Sequence, residues 1–224
     1  MSEFEHGKLT AWGYVADYET LPDFITAQEF SKFTNGKFGY DERIAANIPS
    51  ATASIRNYCG WHVSPSLDCG LYLSIKDLHY AFVGGDLLIQ LPATYVSEVS
   101  KVVLDAEFNN NEGDWDGDVL DGNAYDMGMG NGLVRIYDVG YLDRRSKVFI
   151  KYKAGLPESE ISAIKELTAH RVSHAVSSSY GINSETAGGV SVSYNSSWAG
   201  NTRSTALPDD NKDVLEPYKV RGVF

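Results

Sequence analysis

Four aspartates stand close together in one acidic stretch of the chain, and carboxylate oxygens are the ligands that calcium prefers. They are Asp114, Asp116, Asp118 and Asp121. An EF-hand loop needs glycine at its sixth position, glutamate at its twelfth and a helix on each side. Counted from Asp114, those positions hold Val119 and Tyr125, and the flanking segments have strand character. The sequence therefore predicts that residues 109–126 form a solvated acidic loop. A calcium site is the weaker alternative.

Other residue patterns that could support catalysis or metal binding are weak. His170 and His174 are spaced i, i+4 on an expected helix, so both point the same way, but an HExxH order is absent. No GxSxG elbow and no Walker glycine-lysine loop occurs in the sequence. The glycine-rich run MGMGNG precedes a strand rather than a helix, which predicts a hairpin turn. We therefore expect no enzyme, no cofactor and no dedicated metal site.

The most unusual local cluster lies where a helix ends at Cys59 and Gly60 and is followed by Trp61 and His62. A tryptophan at a helix-to-strand junction usually fills space between layers. We therefore expect Tyr58, Cys59 and Trp61 to form a core junction. The ten-residue spacing between Cys59 and Cys69 fits no zinc signature, so both cysteines are expected to be structural.

Three helices are expected to position these residues. Thr26 and Glu29 form a capping-box pattern at the start of a short helix that stops at Asn35-Gly36. A second helix is predicted over 41–59, where apolar residues recur every three or four positions and Pro49 is expected to kink or split it. A third is predicted over 158–178.

The remaining apolar runs alternate with Gly, Asn and Asp clusters, which is typical of strands. Strands are predicted over 70–75, 86–90, 99–104, 133–137, 147–152 and 190–194. The expected fold class is α+β, with a helical core of two long antiparallel helices, an inserted antiparallel β domain and an extended C-terminal tail. The expected divisions are an N-terminal arm (1–22), a helical core (23–60 and 156–180), the inserted β domain (61–155), a hairpin strand (181–194) and a flexible linker with the tail (195–224).

Composition and charge narrow the classes of function. The formal net charge is −11, which argues against gripping DNA because groove binding needs a basic face. No run of about 20 apolar residues and no secretory signal pattern is visible. We therefore expect a protein that is made in a cytosol and has no membrane partner.

Several segments resemble one family. The run IRNYCGWHVSPS (55–66) resembles the end of the first long helix in head–tail connector (adaptor) proteins of tailed bacteriophages. LPDFITAQEFSKFTNGKF (21–38) is similar to the family's start. GLVRIYDVGYLDRRSKVFIKYKAGLPE (132–158) resembles its closing hairpin, INSETAGGVSVSY (182–194) the hairpin after it, and LPDDNKDVLEPYKVRGVF (207–224) its terminal tail. The matches cover most of the chain in the family's order, with departures at Pro49 and the acidic insert 109–126.

The resemblance implies a structural virion protein of the phage neck, assembled in the host cytoplasm. It implies a homo-oligomeric ring, commonly dodecameric, that joins the portal protein to a stopper or tail-completion protein. DNA passes through such a ring during genome ejection without specific binding. The C-terminal tail of the family packs against the portal, and the residues expected to dock there are Leu215, Tyr218, Val220 and Phe224.

Two other interpretations remain open from the sequence. A calcium-dependent β-sandwich binding module of a phage fibre would use the acidic loop and the fourteen tyrosines. The stopper or tail-terminator ring of the same neck would differ from an adaptor in its partners alone.

Overall fold

The computed structural model describes ten stretches of the chain. They are residues 8–16, 21–38, 42–75, 79–109, 114–128, 131–139, 146–177, 184–187, 190–193 and 209–220. These residues divide into two compact units. The β unit draws on residues 1–22, 59–161 and 217–224, and the helical unit draws on residues 23–58 and 162–216.

The described residues contain four α-helices. Their bounds are α1 Ala27–Phe33, α2 Glu42–Cys59, α3 Ser162–Ser177 and α4 Asp209–Leu215. Short 3₁₀ turns cover Glu158–Glu160 and Glu216–Tyr218. The capping box predicted at Thr26 and Glu29 is confirmed, because each residue's side chain bonds the other's backbone N–H. α2 runs without a break through Pro49, so the helix is not split there, and the alternative that Pro49 kinks it stays a prediction.

Twelve strands form three antiparallel sheets in the described part of the chain. Their bounds are β1 Lys8–Leu9, β2 Val15–Ala16, β3 Leu67–Ser74, β4 His79–Val83, β5 Asp86–Gln90, β6 Val96–Asn109, β7 Asp114–Val119, β8 Tyr125–Gly128, β9 Leu133–Ile136, β10 Lys147–Ala154, β11 Ser184–Ala187 and β12 Val190–Ser193. The strand order is β1-β2-β3-β10-β6-β7 in the largest sheet, β4-β5-β9-β8 in the second and β11-β12 in the third.

Strand β10 is central in the six-stranded sheet. Its position explains why apolar and polar residues alternate imperfectly along it. Val148, Ile150 and Tyr152 are fully buried on one face, as the alternation predicts. Phe149 points to the opposite face and is also buried, because it stacks on Trp115 with ring centroids 4.7 Å apart. Val103, Ala106 and Tyr72 complete this second, smaller apolar cluster. Both faces of the sheet centre are therefore covered.

In the helical unit, α1, α2 and α3 share one apolar cluster. Its buried members are Ile25, Phe30, Ile44, Ile48, Ala51, Ala169, Val172 and Val176. Ile44, Ile48 and Ala51 are members of the apolar stripe that predicted α2. None of the helices in the described part of the chain combines the length and apolar character that crossing a membrane requires.

The expected core of two long antiparallel helices is wrong. Within the described residues the fold is mixed, with four helices, none longer than 18 residues, and antiparallel sheets of six, four and two strands. Periodicity within one segment shows which face of a helix is apolar, but it does not show which elements share a core. The central strands β3, β6 and β10 supply many of the fully buried side chains, so the β unit has a core of its own.

Two segments that were expected to lack regular structure form strands. Residues 8–16, expected to belong to the arm, form β1 and β2, and β2 pairs with β3. The acidic segment 109–126 contributes the end of β6, all of β7 and the start of β8. Arm residues 1–7 and 17–20, residue 194 of the expected hairpin strand and residues 195–208 of the expected linker and tail lie outside the described residues.

Candidate functional site

The most distinctive feature of the β unit is the turn that follows α2. Gly60 has a φ of +79°, a left-handed conformation that ends a helix with little strain when the residue has no side chain. Trp61 comes next and is fully buried. Its indole ring stacks on Tyr95 with an interplanar angle of 9° and a centroid separation of 6.4 Å. The indole N–H donates a 2.6 Å hydrogen bond to the carbonyl oxygen of Tyr218.

The C-terminal segment is fixed to the same turn. The backbone N–H of Val220 donates to the carbonyl oxygen of Cys59 at 2.9 Å. This bond satisfies one of the carbonyls that the end of α2 would otherwise leave without a partner. A Cβ on Gly60 would lie 3.9 Å from the Cβ of Val220, which is ordinary contact. We call residues 59–61 together with 218–220 the C-terminal clasp.

A parallel contact lies in the helical unit. The hydroxyl of Tyr58 donates to the carboxylate of Glu216 at 3.0 Å. Leu215, one residue earlier, is completely buried. The structure thus brings the expected core junction (Tyr58, Cys59, Trp61) into contact with the end of the chain.

Three of the four residues expected to dock on the portal therefore have partners inside the chain. Leu215 is buried, Tyr218 and Val220 are half-buried, and Phe224 lies outside the described residues. Burial is the main cause that raises the pKa of the Tyr218 phenol above its ordinary value. Their docking role stays a prediction. Sequence patterns gave no sign of these contacts, because the bonded residues are more than 150 positions apart.

Next to the clasp, His62 is completely buried in a network of hydrogen bonds. Its Nδ1 lies 2.5 Å from the hydroxyl of Tyr14, and its Nε2 lies 3.0 Å from the Pro65 carbonyl oxygen and 3.1 Å from that of Ala154. Two carbonyls require a donor, so Nε2 carries the proton and Nδ1 accepts from Tyr14. The backbone N–H of His62 in turn donates to the Tyr14 hydroxyl at 3.1 Å. The imidazole thus holds the N-terminal hairpin in place.

The backbone spreads the candidate calcium ligands along β7 and the residues after it. Asp114, Asp116 and Asp118 alternate along β7, and Asp121 follows that strand. Alternate residues of a strand are nearly 7 Å apart, whereas calcium needs its oxygens at 2.3–2.6 Å from one centre. Asp116, Asp118 and Asp121 are exposed. Among the described side chains, no group of three or more His, Cys, Asp or Glu residues is placed to hold a metal ion.

The two histidines of α3 lie together on one side of that helix. Burial lowers the pKa of His174, and repulsion from His170 lowers it further. The neutral imidazole is therefore favoured at His174, where it can donate or accept a hydrogen bond. Both histidines line a cleft together with the hydroxyl groups of Thr34, Ser173 and Ser177.

Comparison with known proteins leaves the family open: no family model matches the chain, and no curated protein matches it.

Proposed function

We propose that this chain is a structural subunit of the neck of a tailed phage, an adaptor whose copies form a ring between the portal protein and a stopper or tail-completion protein. DNA passes through the ring, and the subunit acts without catalysis or a cofactor. It is assembled in the host cytoplasm and stays in the virion.

The C-terminal clasp is the observation that carries this proposal. The segments 55–66 and 207–224 are two of those that resemble the adaptor family, and they are far apart in the sequence. Trp61 and Tyr218 join them by a hydrogen bond, and Cys59 and Val220 by another. Segments that resemble a family and also meet in space support a shared fold better than either segment alone.

Charge supports the expected behaviour toward DNA. The net charge is −11 per chain. A ring of about twelve copies would carry on the order of −130, which repels a passing duplex rather than binding it. A channel through which DNA must slide benefits from weak contact with the phosphates.

Portal binding of shortened chains tests the proposal. The clasp ends at Val220, so a chain ending there keeps every described contact of the C-terminal segment while it lacks residues 221–224. We expect the full chain to bind the portal of the phage that encodes it, and the chain 1–220 to fold but bind at least about tenfold more weakly, since a buried apolar terminal anchor contributes 1.4 kcal/mol or more.

A matched control separates docking from folding. Val214, in α4, is 41% exposed, so Val214→Ser should leave the fold unchanged. A change in portal binding by this variant would show that α4 itself faces the portal. Chain 1–220 and the full chain should show the same thermal unfolding midpoint. A full chain that does not bind the portal, but binds a tail protein, would replace the adaptor proposal with the stopper ring.

A further inference from the structure

The four-stranded sheet of the β unit ends at an apolar edge strand. That strand is β4, HYAFV, and within the described residues no strand lies beyond it. Phe82 is 49% exposed and Val83 is 56% exposed. Edge strands are normally protected from pairing by charged residues, proline or a bulge. β4 contains no Lys, Arg, Asp, Glu or Pro, and its ladder with β5 has no register shift, so this edge is suited to pairing with another chain.

The backbone of β4 has hydrogen-bonding groups that point away from its own sheet. β4 and β5 are joined by the two-residue turn Gly84-Gly85, and a turn of this length is flanked by a hydrogen-bonded pair, here Val83 and Asp86. Bonded and non-bonded pairs alternate along an antiparallel ladder. The N–H and C=O groups of Tyr80 and Phe82 therefore face outward.

β8, at the opposite edge of the same sheet, has a corresponding arrangement. The N–H of Tyr137 donates to the carbonyl oxygen of Ala124 at 2.9 Å, so the alternation turns the backbone groups of Tyr125 and Met127 away from β9. The outward N–H of Met127 donates to the Asp126 carboxylate at 2.7 Å. A side chain thus satisfies, in a single copy, a donor that a neighbouring strand would bond in an assembly.

Two apolar rows of side chains cross the sheet from one edge to the other. Residues paired directly across a ladder lie on the same face. The first row is Phe82, Leu87, Ile136 and Tyr125, and the second is Tyr80, Ile89, Val134 and Met127. The two inner members of each row are buried, and the two outer members are half-buried or exposed. Each row therefore stops, at both edges, on an apolar side chain that is only partly covered.

We propose that β8 of one copy pairs with β4 of the next copy, so that this sheet continues from copy to copy. The sheet has four antiparallel strands, so β4 and β8 run in opposite directions and the added strand keeps the antiparallel order. The outward backbone groups match when Phe82 lies opposite Tyr125 of the second copy and Tyr80 lies opposite Met127 of the second copy. In this register both apolar rows continue across the contact.

Two different edges meet in this contact, so it is head-to-tail and repeats until a ring closes. The edges of the six-stranded sheet fit such a contact less well, because β7 carries three aspartates and β1 has only two residues. Pairing of β4 with β4 of a second copy would give a closed dimer rather than a ring. The inference rests on the proposed ring and names the strands that would build it.

Disulfide trapping tests the contact and its register. In the proposed register Ala81 lies opposite Asp126 of the second copy at a non-hydrogen-bonded position, where side chains are closest. Within one copy these residues are three strand spacings apart, about 14 Å, which is too far for a disulfide. Ala81→Cys and Asp126→Cys chains are mixed, with and without the portal, and oxidised glutathione serves as the oxidant. We expect a disulfide that joins one variant to the other, and none in the unmodified chain, whose Cys59 and Cys69 are fully buried.

Matched variants separate this contact from others. Val119 is 55% exposed on the edge strand β7, so a mixture of Ala81→Cys and Val119→Cys chains should give no disulfide. Phe82→Lys should weaken self-association about tenfold, because the pairing would bury the new charge. Leu9→Lys, at a residue of β1 that is 75% exposed, should leave self-association unchanged. Both lysine variants should keep the thermal unfolding midpoint of the unmodified chain.

Two results would overturn the inference. One is the absence of the mixed disulfide, with or without self-association. The other is a disulfide between two Ala81→Cys chains in place of the mixed one, which would show that β4 pairs with itself. A ring seen on the portal without the mixed disulfide would reject this contact and leave the proposed function standing. The mixed disulfide in a chain that does not bind the portal would support the contact and reject the adaptor proposal.

Discussion

Tyr14 and His62 show how single residues fix this fold. The Tyr14 hydroxyl accepts one hydrogen bond from the His62 backbone and donates another to the His62 ring, and both residues are buried. A buried donor or acceptor that loses its partner costs about 1–3 kcal/mol. The hairpin of β1 and β2 therefore depends on a hydroxyl group as well as on its strand pairing with β3.

Tyr14→Phe tests that dependence. The substitution keeps the ring but removes the hydroxyl that bonds Nδ1 and the backbone N–H of His62, so we expect the free energy of unfolding to fall by about 1–3 kcal/mol. Denaturant unfolding followed by fluorescence measures it. Tyr137→Phe, at a residue that is 37% exposed, is the control and should change stability little. Equal effects of the two substitutions would show that the network contributes nothing.

Glu29 makes the stability of the helical unit depend on pH. Its carboxylate accepts from Lys165 at 2.8 Å and from the backbone N–H of Thr26 at 2.8 Å, which together lower its pKa from 4.5 to about 2. The folded-state pKa lies below the unfolded one. Its contribution is therefore complete above pH 4.5 and is lost as the pH falls from there toward 2.

Glu29→Gln separates the ion pair from the cap, because glutamine also serves in a capping box. We expect a loss of roughly 1 kcal/mol or less at pH 7, since the pair is partly exposed and screened by solvent. The difference from the unmodified chain should shrink as the pH is lowered below 4.5. Thermal unfolding between pH 2 and pH 7 measures this, and a difference that grows on acidification would contradict the assignment.

For single residues, the sequence could predict contacts between positions that are close together in the chain. The capping box at Thr26 and Glu29 involves positions three apart, and it is confirmed. The partner of His62 is 48 positions away in a segment with no periodic pattern, and the partner of Trp61 is 157 positions away. Such pairs depend on which elements pack together, and a single sequence does not reveal that.

At the scale of elements, β7 depends on a glycine. Gly117 has a φ of +145°, and a Cβ there would lie 2.6 Å from the Leu104 carbonyl oxygen and 2.8 Å from a Val103 methyl group. The register of the β6–β7 ladder shifts between Leu104 and Glu107, so β6 bulges opposite Gly117. A side chain at 117 would push β7 away from β6.

Gly117→Ala should therefore weaken the pairing of β7 with β6. We expect a loss of about 1–3 kcal/mol from strain and displaced contacts, together with faster hydrogen exchange of the amides shared by β6 and β7. Gly122→Ala is the matched control, because its Cβ would meet nothing within 4 Å. If both variants exchange at the same rate, β7 does not depend on the close approach at Gly117.

Pro49 is the second element-scale test. It is exposed within α2 and lacks the N–H that would bond the carbonyl of Ala45. A proline inside a helix costs about 3 kcal/mol, partly offset because it also restricts the unfolded chain. Pro49→Ala should raise the free energy of unfolding by about 1–2 kcal/mol. A lower thermal midpoint for this variant would mean that the proline ring makes a contact that stabilises α2.

The elements themselves were predicted unevenly, for a physical reason. The expected strands at 86–90 and 147–152 match β5 and most of β10, whose residues alternate or form apolar runs. β7 was missed because its residues are DWDGDV, a composition with low strand propensity. Its Trp115 packs on Phe149 and Tyr72, so tertiary contact rather than local preference keeps this segment extended.

At the scale of the whole molecule, the chain crosses between its two units several times. It leaves the β unit before Asp23, returns at Cys59, leaves again after Ile161 and returns at Pro217. The last return lies directly before the C-terminal clasp.

The most direct test of the adaptor proposal is electron microscopy of the purified full chain mixed with the portal of its phage. The account predicts a ring of copies of this chain on the tail-facing end of the portal, with the segment after Val220 in contact with portal subunits. A portal that remains bare, while the chain binds a tail protein or no neck component at all, would contradict it.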